Sequence, residues 1–357
     1  MKKILVTGGC GFVGRNLIKR LLERKNTNIW IVDDLSIGSH PNKWLDHTYL
    51  KTKSKKDEIL YIYKKYNNKV HFINRDILSI FLSELNRQKK VLNFKFPQFD
   101  EVYHLASIVG GRAVIDGDPL LVGIDLAIDS TFFLWAGKVN RPKRILYTSS
   151  SAAYPISSQK KNKNIALKES MINFKTGFSQ PDMTYGWSKL TGEYLATIAA
   201  KQYGLKVGVV RPFSGYGADQ DLSYPVPSIA LRVANKDNPV FIWGDGNQKR
   251  DFVYISDCID ICIKVCREVE NSEAFNIGAG IGISFKTLAK KLIKLEKYKT
   301  KINTLKKKPV GVMNRFSNNN KTYKKFDWKP KISLEEGLSK VLEQAHKRLE
   351  KGVKPNY

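Results

Sequence analysis

The sequence is short of cysteine, of acidic residues and of long apolar runs. Only four of its 357 residues are cysteine and 33 are Asp or Glu, against 61 Lys or Arg. No uninterrupted apolar run reaches the ~18–20 residues that a membrane span needs. These absences argue against a disulfide-dense secreted domain and predict no membrane span. With 42% hydrophobic residues, the chain is long enough to bury a core without covalent staples.

The spacing of the cysteines carries more information than their number. Cys258, Cys262 and Cys266 are four residues apart, so on a helix they share one face. A zinc site would need a further ligand and usually a CxxC pair. We therefore predict buried packing and no metal. Because no pairing pattern suggests an oxidising compartment, we expect a cytoplasmic protein.

The formal net charge is +28, and about half of this excess lies from Lys286 onward. Such a field attracts anions, among them nucleic acids and phosphorylated small molecules. The basic residues are scattered, with no zinc-finger spacing and no aromatic-glycine signature of an RNA-binding sheet. We predict a solvated basic surface without a specific nucleic-acid partner, and steering of an anionic substrate stays open.

Short apolar segments alternate with helical periodicity through most of the chain. The predicted strands are 2–7, 29–32, 71–74, 101–105, 144–148 and 206–211. The predicted helices are 12–24, 119–139 and 185–203. This alternation predicts an α/β fold with a doubly wound parallel sheet. We expect residues 1–217 to form this domain and residues 218–357 a smaller α/β lobe, interleaved with it. Segment 51–68 is predicted to be a surface insertion with a helix, and segment 159–175 a polar loop.

A glycine-rich turn follows the first predicted strand. Gly8, Gly11 and Gly14 form a G-x-x-G-x-x-G pattern that opens a helix. Glycine lets the backbone approach a pyrophosphate, and a helix N-terminus offers free N–H groups and a positive dipole end. The strand before it and the helix after it are the context that such a motif requires. The motif predicts a dinucleotide site.

Two aspartates end the second and third predicted strands. Asp33 lies 19 residues after Gly14, where a carboxylate accepts hydrogen bonds from the adenosine ribose and repels a 2′-phosphate. This favours NAD over NADP. Asp76 ends the next strand, where its side chain is expected to reach the adenine.

Serine, tyrosine and lysine residues complete a catalytic pattern. A serine run, 149–151, follows the fifth strand, and Tyr185 and Lys189 lie one helical turn apart at the start of the next helix. A tyrosine base at neutral pH needs its pKa lowered by ~3 units from ~10. Lys189 and an oxidised nicotinamide would each supply a positive charge for this. A hydroxyl of the serine run would bond the reacting oxygen.

With these motifs, the sequence resembles the extended short-chain dehydrogenase/reductases that act on nucleotide sugars. The resemblance covers nearly the whole chain and implies a Rossmann-type sheet with a C-terminal substrate-binding lobe. The segments that carry it are 7–14, 32–34, 76–77, 104–107, 149–154, 185–189, 211–217, 244–246, 250–254, 276–278 and 328–330.

The resemblance also implies roles for single residues. Ser150 would be the catalytic hydroxyl, Tyr185 the general base and Lys189 its partner, which also holds the nicotinamide ribose. The NAD-binding residues are then Gly8, Gly11, Phe12, Val13, Gly14, Asp33, Asp76, Ile77, Leu105, Ala106, Ser107, Tyr185 and Lys189. The substrate-binding residues are then Arg112, Ser150, Ser214, Arg250 and Arg315.

The expected substrate contacts differ in kind. Arg250 and Arg315 match arginines that clamp the nucleotide diphosphate. The alternative for Arg250 is an ion pair with Asp251, and the alternative for Arg315 is a surface charge. Arg112 follows two glycines as in several 4-epimerases, where it would face a sugar carboxylate, unless it points into solvent. Ser214 stands where the family often has asparagine.

Departures from the family's patterns narrow the expected reaction. The 4,6-dehydratases place an Asp-Glu pair where this chain has Ser151 and Ala152. The GDP-sugar multi-site epimerases place a cysteine near Ala152 and use a second His or Lys. This chain has no His between 104 and 346 and no Lys between 206 and 236. The pattern favours oxidation and re-reduction at one carbon.

The sequence therefore predicts an NAD-dependent nucleotide-sugar epimerase acting at C4 on a UDP- or GDP-linked sugar. The alternatives on the same scaffold are a 4,6-dehydratase, a 2-epimerase or a ketoreductase. A non-catalytic dinucleotide sensor or a nucleic-acid-binding protein is the alternative of another class. The resemblance implies a homodimer formed through helices 119–139 and 185–203.

Overall fold

The protein is described by a computed structural model for residues 1–46, 48, 50–55, 58–63, 66–86, 91–110, 112–175, 177 and 179–355. The strands are β1 (Lys2–Thr7), β2 (Thr27–Asp33), β3 (Leu50–Lys55), β4 (Glu58–Tyr63), β5 (Asn68–Asn74), β6 (Glu101–His104), β7 (Arg144–Thr148), β8 (Val207–Pro212), β9 (Ser214–Tyr216), β10 (Val240–Trp243), β11 (Lys249–Arg250), β12 (Phe252–Tyr254), β13 (Asn271–Ile277), β14 (Ile283–Ser284), β15 (Ile302–Leu305) and β16 (Asn314–Arg315).

The helices confirm the predicted alternation. They are α1 (Phe12–Leu22), α2 (Ile77–Asn86), α3 (Arg112–Gly117), α4 (Pro119–Val122), α5 (Ile124–Trp135), α6 (Met183–Tyr203), α7 (Pro225–Ala234), α8 (Ile255–Glu268), α9 (Phe285–Glu296), α10 (Asn320–Phe326) and α11 (Leu334–Glu350). The predicted helix 119–139 is divided at Gly123 into α4 and α5 and ends in a π-helical turn, Ala136–Asn140.

Within the described residues, nine strands form the main sheet, in the order β13-β8-β7-β6-β1-β2-β5-β4-β3. The seven strands from β13 to β5 pair in parallel. Strands β1, β6 and β7 are buried almost throughout, as expected for a parallel sheet covered on both faces. Apolar clusters fill both sides, one beneath α1 and α8 and the other beneath α2, α5 and α6. The predicted doubly wound α/β fold is confirmed.

The prediction of a helix in segment 51–68 is wrong. This stretch supplies strands β3 and β4, which pair antiparallel with each other and, through β4, with β5. The run Ile59, Leu60, Tyr61 and Ile62 has the β-branched and aromatic character that favours a strand. The N–H and C=O groups at the open edge of β5 give this run a strand to pair with. Local periodicity does not reveal such a partner.

The C-terminal part of the chain contributes to both lobes. Strand β13 and helix α8 complete the main sheet, while α7, α9 and α11 enclose a separate apolar core. A parallel pair, β10 with β15, and a three-stranded sheet, β14-β11-β16, support this second lobe. Strand β9 pairs with β12 at the junction, which brings the second lobe to the carboxyl edge of the main sheet.

Among the described residues, one helical stretch, Pro119–Asn140, has the length and apolar composition of a membrane span. Half of its apolar window is buried inside the protein, and core helices of globular proteins meet the same criterion. Two aspartates within it, Asp125 and Asp129, are buried against the sheet.

The four cysteines are free and buried. Cys258, Cys262 and Cys266 all lie on the core face of α8, as the spacing predicted. In the part of the chain that the structure describes, no group of three or more His, Cys, Asp or Glu side chains is placed to hold a metal.

Candidate active site

The glycine-rich turn joins β1 to α1 in the way that a dinucleotide requires. Gly8 has a φ of +65°, and a Cβ there would lie 2.8 Å from the Ala106 nitrogen. A Cβ on Gly14 would lie 2.6 Å from the Gly8 carbonyl oxygen. Gly11 is the N-cap of α1, so the first N–H groups of the helix face the turn. Because these glycines have no side chains, backbone N–H groups and the N-terminus of α1 are open to a ligand at the turn. This arrangement fits the pyrophosphate of NAD.

Asp33 ends β2 beside this turn and is 9% exposed. Its carboxylate accepts hydrogen bonds from the backbone nitrogens of Cys10 and Leu35, both at 2.9 Å. Burial raises the pKa of Asp33, while these two bonds counteract the rise. The bonds fix the carboxylate at the strand end, where a ribose hydroxyl would meet it.

Asp76 caps helix α2 by accepting from the nitrogens of Leu78 and Ser79. Its side chain is exposed, and Ile77 behind it is buried. A capping role accounts for Asp76 without a ligand, so adenine binding stays a prediction.

The segment after β6 is held against the glycine-rich turn. The Thr7 hydroxyl oxygen accepts from the nitrogens of Leu105 and Ala106 at 3.1 and 3.2 Å. The Ser107 hydroxyl donates to Asp125 at 2.6 Å. These bonds place Leu105, Ala106 and Ser107 beside Gly8, at the carboxyl edge of the sheet.

Ser150, Tyr185 and Lys189 come together at this same edge. Ser150 follows β7 and caps a short 3₁₀ turn by accepting from the Ala152 nitrogen at 3.1 Å, and it lies close enough to Tyr185, in the first turn of α6, to lower the pKa of that tyrosine. Lys189, one turn later, is 4% exposed, and its Nζ lies 5.7 Å from the centre of the Tyr185 ring. The structure thus brings together the three residues that the sequence singled out for catalysis.

The pKa of Tyr185 is raised by the protein's own groups, whereas the predicted lowering involves both Lys189 and an oxidised nicotinamide. Burial raises the pKa of Tyr185; Lys189 and Ser150 lower it, and the carboxylates of Asp125 and Asp129 raise it further. Burial lowers the pKa of Lys189, but Asp129, Asp125 and Tyr185 outweigh this and leave it raised. In the protein without a cofactor, Tyr185 is therefore a neutral phenol beside a lysine cation.

Sequence reasoning missed the buried polar network below this site. Asp129 accepts from Tyr147 at 2.5 Å and contacts His104 Nε2 at 3.2 Å, and His104 Nδ1 lies 2.8 Å from the Thr7 hydroxyl. The network runs from Thr7, beside the glycine-rich turn, to Tyr147, whose ring centre lies 5.7 Å from Lys189 Nζ of α6. Two aspartates four residues apart in a mainly apolar helix were the available sequence signal.

A buried ion pair supports the other side of the catalytic helix. Arg211 of β8 forms two bonds with Glu193 of α6, at 2.8 and 2.6 Å. Glu193 also accepts from the Ser149 hydroxyl at 2.5 Å, and Arg211 donates to Tyr154 at 3.1 Å. The pair fixes α6 against the strand end that precedes Ser150.

The two candidate diphosphate-binding arginines lie in the second lobe. Arg250 donates to the carbonyl oxygens of Lys249 and Val312 at 2.8 Å and of Val310 at 3.0 Å. Arg315 donates to Gln159 and to Asp182, both at 2.6 Å. Asp182 is the N-cap of α6, so Arg315 joins the second lobe to the catalytic helix.

The structure shows neither alternative for these arginines, an ion pair of Arg250 with Asp251 or a surface charge at Arg315. Asp251 accepts from Ser317 and from the nitrogens of Ala279 and Gly280. The Arg315 side chain is 12% exposed, so it is not a surface charge.

Ser214 opens β9 next to Asp251, whose carbonyl oxygen accepts from its nitrogen at 2.9 Å. Arg112 begins α3, but its side chain lies outside the described residues. Contact of either with a substrate stays a prediction.

Comparisons with known proteins agree with this geometry. Residues 4–278 match the family model described as the NAD dependent epimerase/dehydratase family. GDP-mannose 3,5-epimerase of Arabidopsis thaliana is 29% identical over 246 residues, which are 67% of this chain and 63% of that protein, less than two thirds of its length. An uncharacterized UDP-glucose epimerase of Bacillus subtilis, YtcB, is 30% identical over 72% of this chain and 70% of its own.

The crystal structure of UDP-glucuronic acid 4-epimerase from Bacillus cereus, with UDP-glucuronic acid and NAD, is similar throughout. It is 25% identical, with a TM-score of 0.75, over 97% of this chain and 99% of its own. The family match includes the glycine-rich turn and both catalytic segments. The glycine-rich turn has no room for side chains, a carboxylate ends β2, and the helix with Tyr185 and Lys189 lies within the matched residues. The chain therefore belongs to the NAD-dependent epimerase/dehydratase family, and its cofactor is NAD.

Proposed function

We propose that this protein is a nucleotide-sugar epimerase that inverts a single carbon, C4, of a UDP- or GDP-linked sugar. The observation that carries the proposal is the grouping of Ser150, Tyr185 and Lys189 at the carboxyl edge of the sheet, with Lys189 Nζ 5.7 Å from the centre of the Tyr185 ring. NAD, when bound, supplies reversible hydride acceptance from the sugar carbon. The protein must then hold the hydroxyl, carry its proton and keep the sugar in place.

The three residues divide this work. Tyr185 takes the proton of the sugar hydroxyl and returns it when the carbon is reduced on its other face. Ser150 hydrogen-bonds the reacting oxygen and keeps it within reach of Tyr185. Lys189, a cation, favours the ionised form of Tyr185 and would bind the nicotinamide ribose.

Two small side chains support chemistry at a single carbon. Ser151 and Ala152, both buried, follow Ser150 where a dehydratase would need an acid-base pair. Neither is able to remove a proton from a carbon next to the keto group. Epimerisation at C4 needs no such step, because the hydrogen leaves and returns at one position.

The second lobe supports a nucleotide diphosphate as the shared part of the substrate. Arg250 and Arg315 carry guanidinium groups that bind phosphate in a planar, two-point manner. The relatives differ in nucleotide, with GDP and UDP both present in their names. We further propose residues 1–217 as the cofactor-binding part and 218–357 as mainly substrate-binding, with Ser214 and Arg112 at the sugar.

We also propose a homodimer built on the outer face of α4, α5 and α6. Leu120 is 89% exposed there, and Leu121, Ile124, Trp187 and Tyr194 are each more than 40% exposed. Contiguous apolar side chains on helices are commonly covered in an assembly, and a second copy would align the same helices. Sedimentation of Trp187→Lys against the unchanged chain tests this, with a shift to monomer expected.

With four free cysteines, we place the protein in the cytoplasm.

Proton NMR in heavy water tests the proposed reaction. The protein is incubated with NAD and with UDP-, GDP-, CDP- and dTDP-sugars and uronates. A new anomeric signal without ring deuterium, and couplings that show inversion at C4, are expected. Deuterium at C3 or C5, or loss of water, would contradict the proposal and favour a multi-site epimerase or a dehydratase.

A further inference from the structure

Two buried carboxylates face the catalytic helix from behind. Asp125 and Asp129 lie one turn apart on α5, and each is 1% exposed; together they are called the acid pair. Helix α5 packs against α6, and a methyl group on Gly192 of α6 would lie 2.6 Å from Asp129 Oδ2. The carboxylates are thus in the wall between α5 and the helix that carries Tyr185 and Lys189.

Each carboxylate is fixed by hydrogen bonds. Asp125 accepts from the Ser107 hydroxyl at 2.6 Å and from the Ile108 nitrogen at 2.7 Å. Asp129 accepts from the Tyr147 hydroxyl through one oxygen and contacts His104 through the other. Neither aspartate can turn away from the site without breaking bonds in a buried region.

His104 adds no positive charge to balance the acid pair. Burial lowers its pKa, although the contact with Asp129 acts in the opposite direction. As a neutral ring it donates from Nε2 to Asp129 and accepts at Nδ1 from Thr7, whose oxygen already accepts two backbone N–H groups. The bonds satisfy each group, and among the described side chains Lys189 is the cation that the two carboxylates face.

In the part of the chain that the structure describes, the charged and titratable groups around Tyr185 other than the acid pair and Lys189 are neutral or paired with one another. Glu193 is paired with Arg211, and Tyr147 donates its proton to Asp129. The groups that face Tyr185 or Lys189 from the neighbouring elements are Asp125 and Asp129 of α5, His104 of β6, Tyr147 of β7 and Tyr224 before α7. Glu193 of α6, with its partner Arg211 of β8, lies near Tyr147.

We propose that Asp125 and Asp129 are positioning residues that counterbalance Lys189, so that Tyr185 gives up its proton only when a further cation enters the site. The proposal rests on the function proposed above, because it takes Tyr185 as the proton carrier. An oxidised nicotinamide carries such a charge, and a reduced one does not. The acid pair therefore makes proton transfer by Tyr185 depend on the oxidation state of the cofactor.

The test compares binding of NAD⁺ and NADH to the full chain and to Asp125→Asn and Asp129→Asn. Removing one buried negative charge weakens binding of the cation but not of the neutral form. The preference for NAD⁺ should fall on the order of tenfold, the effect of one charge within about 12 Å at an effective dielectric near 20. Calorimetry in two buffers of different ionisation enthalpy measures the protons released with NAD⁺.

Proton release separates a role in charge balance from one in packing. The unchanged protein should release a proton on binding NAD⁺, increasingly so as pH rises. In the Asn variants the carboxylate no longer raises the pKa of Tyr185, so release should begin at lower pH. Tyr185→Phe should abolish it. The matched control is Asp257→Asn, a buried carboxylate of α8 that accepts from the nitrogens of Lys331 and Ile332. It should leave the cofactor preference unchanged.

Folded Asn variants with the unchanged preference and release profile would overturn the proposal, as would an equal shift in Asp257→Asn. Because two separate variants are made, the test still works if one of them does not fold. Circular dichroism identifies a variant that is not folded. Neither measurement uses a sugar. If no sugar is epimerised but the preference shifts as expected, the proposed reaction fails and the role of the acid pair stands.

Discussion

The two halves of the site hold their charged groups in different ways. At the edge of the main sheet, Tyr185 and Lys189 lie on α6, which a buried ion pair between Glu193 and Arg211 fixes against β8. In the second lobe, Arg250 donates to three carbonyl oxygens, one of its neighbour Lys249 and two some sixty residues away. Arg315 donates to Gln159 and to Asp182, 156 and 133 residues away in sequence.

The difference bears on how each half meets its ligand. The residues proposed for catalysis are held by buried contacts before a ligand arrives, which suits a proton transfer that depends on small distances. Both arginines already donate to protein oxygens, so a diphosphate must replace or share these bonds. We expect the first half to govern kcat and the second to govern KM.

Replacing Tyr185 by Phe should have the largest effect. The ring keeps its place, but the proton carrier is lost, and kcat should fall by about 10²–10⁴-fold. Binding of NAD, followed by tryptophan fluorescence, should persist. Tyr298→Phe removes a hydroxyl that donates to Asp237 in the second lobe, and it serves as the matched control. Full activity in Tyr185→Phe would show that Tyr185 is not the proton carrier, and the contrast between the two halves of the site would fail.

Glu193→Gln should cost the most stability. Breaking a buried pair strands the Arg211 guanidinium, at about 3–5 kcal/mol. Urea unfolding followed by circular dichroism measures this loss. Glu343→Gln, which removes a partner of Lys347 on the exposed face of α11, should leave the midpoint unchanged. Equal midpoints for both variants would show that the first half is not held by this pair.

Arg315→Gln should raise KM for the nucleotide sugar by about 10–100-fold, because a bond to a charged group contributes about 1.5–3 kcal/mol. Steady-state kinetics with the sugar found by NMR provides the measurement. Arg20→Gln, at an exposed pair with Asp260, is the control. A fall in kcat at constant KM would mean instead that Arg315 acts through Asp182 on the catalytic helix.

Gly14→Ala should weaken NAD binding by about tenfold, since the added methyl meets the backbone of Gly8 and Gly9 and such crowding costs about 1–3 kcal/mol. Isothermal titration measures the affinity. Gly117→Ala, where an added methyl has no neighbour within 4 Å, should bind NAD as before. If both variants bound equally well, the close approach at Gly14 would not shape the cofactor site.

Short sequence patterns predicted the first half well. Gly8, Gly14, Ser150, Tyr185 and Lys189 each follow a strand or open a helix, and the carboxyl ends of parallel strands meet at one edge of the sheet. Their grouping therefore follows from the alternation of strands and helices.

The same reasoning failed where the partner was distant. Segment 51–68 became two strands because the edge of β5 offered hydrogen bonds, and Arg250 turned to carbonyl oxygens some sixty residues away. No local periodicity contains this information. The direction of the Tyr185 pKa was also set by burial and by Asp125 and Asp129, whose positions behind α6 depend on helix packing.

The sequence by itself determined the α/β class, the glycine-rich turn and the candidates for the reacting groups, because these depend on spacings within one strand-turn-helix unit. Tertiary structure decided which carboxylates face Lys189 and which oxygens hold Arg250 and Arg315. Electrostatic effects depend on distance and burial, and these are fixed only when helices and strands that are remote in sequence pack together.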